Sequence, residues 1–269
     1  GNIYITGSYD RSWGNPRNGY TWNFDICVAK FNSSGSLLWN TFLGGTDAEG
    51  GRSIAADSSG NIYVTGYSYG TWGKPIEPFP GFSGVTNAFV AKLNSEGFLQ
   101  WNTFLGVANA SDIGWGVGVD SPGNIYVTGF SYASWGSPIS PFIGGTGGSN
   151  FVAKLNSSGV RQWNTFLGGA HYDDYTGSAL GMAVDGLGNI YLAGASDSSW
   201  GNPRTAFSGS WDAFVAKVNS KGGRQWNTFL GGGGYNAGNR IAIDGSGNSH
   251  VVGWSVSSWG NPKNPYAGG

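Results

Sequence analysis

Hydrophobic positions in this chain come in short bursts rather than long runs. β-Branched and aromatic residues gather over strand-length stretches, each closed by Gly, Asn, Asp or Ser, the pattern of β-strands between tight turns. No stretch sustains a helical period over three turns, so no helix is expected. The bursts also repeat. Gly1-Asn2-Ile3-Tyr4 returns at Gly60-Asn61-Ile62-Tyr63, at Gly123-Asn124-Ile125-Tyr126 and at Gly188-Asn189-Ile190-Tyr191, with a decayed copy at Gly247-Asn248-Ser249-His250. Three other segments keep step with it. Ahead of the Gly-Asn turn run segments such as Ser53-Ile54-Ala55-Ala56-Asp57 and Arg240-Ile241-Ala242-Ile243-Asp244. Behind it come Cys27-Val28-Ala29-Lys30, echoed by Phe89 to Lys92, Phe151 to Lys154 and Phe214 to Lys217. Last comes Trp-Asn-Thr-Phe-Leu-Gly, identical in four copies from Trp39, Trp101, Trp163 and Trp226.

Ordered along the chain, the segments make a unit of four strands, a-b-c-d. Asp57-Ser58-Ser59-Gly60-Asn61 joins a to b, with Asp capping the turn and Gly supplying positive φ. Asn94-Ser95-Glu96-Gly97 joins c to d as tightly. Four antiparallel strands per unit, at a period of 59 to 65 residues, predict a β-propeller of about 4–5 blades in this all-β segment. Residues 1–269 are read as one such domain, with repeats starting near 1, 60, 123, 188 and 247 and the last incomplete. The b–c connection is longer than an ordinary hairpin loop. Each copy carries Trp-Gly-x-Pro, beginning at Trp13, Trp72, Trp135, Trp200 and Trp259.

The consensus Ile-Ala-x-Asp, Gly-Asn-Ile-Tyr-Val-Thr-Gly, Phe-Val-Ala-Lys-Leu-Asn-Ser-x-Gly and Trp-Asn-Thr-Phe-Leu-Gly-Gly resembles the SBBP beta-propeller repeat over nearly the whole chain. The resemblance implies a propeller in a secreted or surface-attached prokaryotic protein, so an extracellular or cell-surface location is expected. It implies no activity, because that family shares no catalytic residues. Trp-Gly-x-Pro in the long loop is a departure, since many relatives have Phe-Pro there.

Composition sharpens this picture. Glycine supplies 50 of 269 residues, yet aromatics reach 15% and charged residues only 11%, the reverse of a disordered chain. A net charge of −1 offers no footprint for nucleic acid. No apolar run is long enough to span a bilayer. The absence of an initiating Met and of a signal peptide suggests a processed or excised segment. Cys27 is the single cysteine; it stands where sister strands carry Phe and reads as a core substitution.

Candidate chemistry is sparse. The five loop tryptophans could stack on sugars, giving a multivalent glycan binder, but large aromatics more often pack on their own blade or plug the gap to the next, and that is the better expectation. The strand-d tryptophans, Trp39, Trp101, Trp163 and Trp226, suit a repeated packing role. Lys30, Lys92, Lys154 and Lys217 read as solvated charges of an outer strand. Asp57, Asp120, Asp185 and Asp244 supply one carboxylate per turn, which suits capping better than calcium. Asp173 and Asp174 beside His171 form a weak metal pattern that other repeats lack. No carboxylate pair is placed for glycoside hydrolysis, so no enzyme, metal or cofactor is expected. Sequons stand at Asn32, Asn109 and Asn156, and two of them lie in the c–d turn, where an attached glycan would be exposed.

The chain opens on strand b and closes on a-b and its loop. Unfilled edges at the two ends are complementary between copies, and a head-to-tail contact gives rings or filaments. Ile3, Tyr4, Ile5, Ile241, Ile243, Val251 and Val252 are the candidate assembly residues. The expected role is a non-catalytic extracellular structural or adhesive module that partners itself. The alternative is a lectin-like propeller that binds surface glycans, or other cell-surface proteins, through its Trp-Gly-x-Pro loops.

Overall fold

A computed structural model describes residues 1–82, 84–143, 147–169, 181–264 and 266–267. Its described residues form strands and turns without a helix. The first sheet has three strands, in the order β1 (Ile3–Tyr9), β2 (Asp25–Phe31) and β3 (Leu37–Leu43). The second has four, β4 (Glu49–Ala56), β5 (Ile62–Ser68), β6 (Asn87–Leu93) and β7 (Leu99–Leu105). The third likewise runs β8 (Asp112–Val119), β9 (Ile125–Ser131), β10 (Ser149–Leu155) and β11 (Arg161–Leu167). The fourth comprises β12 (Gly181–Val184), β13 (Ile190–Ser196), β14 (Asp212–Val218) and β15 (Arg224–Leu230). The last holds only β16 (Asn236–Ile243) and β17 (Ser249–Ser255). Within each sheet, spatial order follows chain order, as in an antiparallel meander. By compactness the chain divides into one unit of residues 1–129 and 154–162 and another of residues 130–153 and 163–269.

Local chemistry explains the turns. Asp57 Oδ1 accepts the backbone N–H groups of Ser59 and Asn61, both at 2.9 Å, and Oδ2 accepts Asn61 Nδ2 at 2.8 Å. The same frame recurs at Asp120, Asp185 and Asp244. It closes on a Gly with φ of 79° at Gly60 and 85° at Gly123, a conformation in which a side chain is strained. Capping, as expected from the sequence, is what these carboxylates do.

Strand c lies inside each four-stranded sheet, between b and d. The lysines at its end are therefore not charges of an outer strand. Each ammonium lies over the tyrosine opposite it on strand b: Lys92 is 5.5 Å from the Tyr63 ring centre and Lys217 is 4.7 Å from that of Tyr191. The aliphatic stem stays against apolar surface while the cation meets the ring face.

In the first unit the core includes Ile26, Val28, Ile62, Val64, Phe89, Leu93 and Phe104, drawn from two adjacent sheets. In the second it centres on Tyr191, Ala193, Val215 and Ile241. The strand-d tryptophans bind neighbouring sheets. Trp39 Nε1 donates to the Ser95 carbonyl at 3.2 Å, and Trp163 Nε1 to that of Ser220 at 3.3 Å. Their rings cover Gly97 and Gly222, where a Cβ would come within 2.8 Å and 3.0 Å of ring carbons.

Candidate functional site

The Trp-Gly-x-Pro loop leaves strand b through a serine whose hydroxyl donates to the carbonyl two residues on. Ser68 bonds Gly70 and Ser131 bonds Ala133, both at 2.7 Å. The loop then runs back along strand d. In the second sheet Ile76 N donates to the Asn102 carbonyl and Phe104 N to that of Glu77; Ile139–Asn164 and Phe166–Ser140 repeat this in the third. Strand d would otherwise present an unpaired edge, and the loop covers part of it.

This path fixes the tryptophans. Asn102 Nδ2 donates to the Trp72 carbonyl at 2.9 Å, and Asn164 and Asn227 do the same for Trp135 and Trp200. The Trp72 ring meets Phe89 of strand c at 5.4 Å and Phe104 of strand d at 6.0 Å, both edge-on. Trp135 sits likewise with Phe151 and Phe166, and Trp200 with Phe214 and Phe229. Trp72, Trp135 and Trp200 are therefore buried, with 5–7% of their surface exposed. Five equivalent sugar platforms do not exist. Trp13 is half-buried beside Tyr9, and Cys27 replaces the strand-c phenylalanine of its sheet. Burial pushes the Cys27 thiol up to about 11, unlike a nucleophile.

Trp259 alone among the five is exposed, at 39%. It shares an open cleft of about 350 Å³ with Tyr266, Asn261, Asn264 and Ser257. A neighbouring hollow of about 300 Å³, lined by Leu230, Val251, Val252, Trp254 and Trp259, lies along β17.

The assembly candidates divide in the same way. Ile241 is buried in the second unit's core, with Ile243 and Val251 packed against it. Tyr4 packs on the first unit's core beneath Lys30. Ile3, Ile5 and Val252 remain exposed, and Trp254, which sequence reasoning passed over, joins them. β1 and β17 are terminal strands of their sheets. His171, Asp173 and Asp174 lie outside the described residues. Among the described residues no group of three or more His, Cys, Asp or Glu is arranged to hold a metal.

One junction escaped sequence reasoning altogether. Asp25 at the head of β2 and Glu49 at the head of β4 are both fully buried. Thr21 donates to Asp25 through its backbone N at 2.7 Å and its hydroxyl at 2.9 Å. Gly45 N approaches Glu49 Oε2 at 3.0 Å. Burial, with the nearby charges of Asp25 and Asp47 adding to it, pushes the Glu49 carboxyl up to about 7.

The beta-propeller repeat family SBBP matches residues 39–71 and 100–133. Both matches begin in strand d and run through the following a and b, so the family's unit is offset from the sheet. The chain is also similar to an uncharacterized WD repeat-containing protein, L264, of Acanthamoeba polyphaga mimivirus, at 27% identity over 163 residues. That match takes in 54% of this chain and 12% of the viral protein. With its strand register repeated from sheet to sheet, the chain carries beta-propeller repeats that match the SBBP family at two places, and its antiparallel sheets fit a β-propeller.

Proposed function

We propose that the chain is a non-catalytic structural or adhesive module of an extracellular or cell-surface protein, associating with further copies of itself through the edges of β1 and β17. The observation that carries the reading is the contrast between loops and edges. Three loop tryptophans are spent on packing within complete sheets. Ile3, Ile5, Val252 and Trp254 stand exposed on strands with one open side. An unpaired apolar edge is a template for another strand, and unlike edges at two ends favour head-to-tail association. The turn carboxylates are saturated by their own turns, which supports a role without acid–base chemistry. The surface location rests on the kind of protein in which such repeats occur.

Sedimentation velocity over a hundredfold range of concentration tests this. A shift to larger species that Ile5→Lys and Val252→Lys abolish, with unchanged melting temperature, is the expected result. Monomer throughout the range would remove the self-assembly reading. A glycan-binding reading survives only at the Trp259–Tyr266 cleft, where an exposed ring faces Ser and Asn side chains. It requires a glycan that shifts tryptophan fluorescence in the parent and not in Trp259→Ala.

A further inference from the structure

We propose that Glu49, which converges with Asp25 on Gly44, is held as a neutral acid, making the junction of the first and second sheets a proton-dependent latch. Ser68 Oγ stands 3.0 Å from Glu49 Oε1 and 2.7 Å from the Gly70 carbonyl, and a serine has one proton to give. Ser131 gives that proton to the Ala133 carbonyl, whereas Ser255 Oγ lies 2.6 Å from both Asn236 Oδ1 and the Ser257 carbonyl. The single Ser68 proton is likewise shared between two acceptors, Glu49 Oε1 and the Gly70 carbonyl.

The other described junctions set one acid against one amide. A Cβ on Gly44 would lie 2.5 Å from Glu49 Oε2 and 2.6 Å from Asp25 Oδ1, so the two acids converge on one glycine. The corresponding pairs are Asn87 with Asp112 over Gly106, and Asp212 with Asn236 over Gly231. Each of those pairs one amide with one carboxylate. Asn236 occupies the place of Glu49: its Oδ1 accepts from Ser255 Oγ at 2.6 Å and its Nδ2 donates to Asp212 Oδ1 at 3.5 Å. An amide brings donors of its own; a carboxyl has one only when protonated. Asp25 and Glu49 make the one described junction of two acids.

Among the described residues no cation compensates a second negative charge, although Gly45 N and Ser68 Oγ donate to Glu49. The groups that act on Glu49 are Asp25 from β2, with Tyr20 beside it, and Asp47 from the β3–β4 turn. Ser68 is the β5 contact, and Arg52 on β4 lies over the rings of Tyr67 and Trp115. Neither buried acid has a Lys, Arg or His partner among the described residues. Two charges brought together in a dry junction repel strongly. The latch is therefore closed in acid and strained once the proton leaves.

The folded carboxyl titrates above its unfolded value, so the latch contributes fully below the unfolded value and is lost as pH rises towards the folded one. The unfolding equilibrium constant of the parent should rise roughly tenfold per pH unit from about pH 4.5 to about 7, then level off. In Glu49→Gln, whose amide imitates the protonated acid, that slope should vanish. Parallel profiles for parent and variant would overturn the proposal. Should the variant fail to fold, infrared spectra of the parent decide: a protonated-carboxyl stretch present at about pH 5.5 and gone at about pH 8.5 is expected. Its absence at the lower pH would be equally fatal.

Discussion

At the scale of single residues, what the chain does locally was legible and what it does across sheets was not. Asp57 and Gly60 announce a turn because every partner lies within six residues, and hydrogen bonds to Asn61 and Tyr63 follow. Those bonds outweigh burial and hold Asp57 and Asp185 below the usual carboxylate range, and Asn248 in particular holds Asp244 down to about 2. A depressed folded value stabilises above the unfolded one, so this contribution is lost as pH falls from about 4 towards 2. Asp57→Asn should flatten part of that acid limb in pH-resolved denaturant unfolding. Loss of charge alone then separates from loss of the turn, which Asp57→Ala would add. Glu49 was invisible for the opposite reason: its partners Asp25 and Ser68 are 24 and 19 residues away, and its place is taken by Asp112 and Asn236 in other repeats. A second residue-level prediction concerns Gly66. A Cβ there would meet the Gly50 carbonyl oxygen at 1.8 Å, backbone against backbone with no side chain to yield. Gly66→Ala should destabilise by about 3 kcal/mol, read as a lower denaturation midpoint at an unchanged slope.

At the scale of elements, the strands and their order followed from period and punctuation, and packing of the loop tryptophans was the better expectation, whereas the path of the long loop was not legible. Its length and its exposed-looking tryptophan are the sequence marks of a binding loop. Its real partner is strand d, and no local signal states that register. Asn102, Asn164 and Asn227 were in view all along as the second residue of the identical hexamer, but their role appears only once the Trp carbonyl is beside them. Trp135→Ala removes a ring held between two phenylalanines and should cost about 3–5 kcal/mol. Trp259→Ala, at a ring without such a sandwich, should cost less than about 1 kcal/mol. Equal losses in equilibrium unfolding would mean that Trp259 is packed as the others are.

At the scale of the whole molecule, repetition made the architecture readable, and the same repetition hides how many units join and what they meet. The assembly residues illustrate this. Alternation marked Ile241 and Val251 as apolar, yet only packing distinguishes them, turned to the core, from Val252, turned outwards. The four identical Trp-Asn-Thr-Phe-Leu-Gly segments have a further effect, on how the chain finds its fold. Any of them can pair with any strand c, so an unfolded chain has several near-equivalent partners for each strand. The tight c–d turn breaks the tie: closing about 5 residues rather than about 60 favours the proper partner by about 2 kcal/mol of loop entropy. That margin acts within one chain and shrinks when chains are crowded. Refolding at rising concentration should yield exchanged dimers in growing proportion, seen by size-exclusion chromatography. Lengthening the Asn94–Gly97 turn should increase their share. The short turns thus keep near-identical strands from trading places.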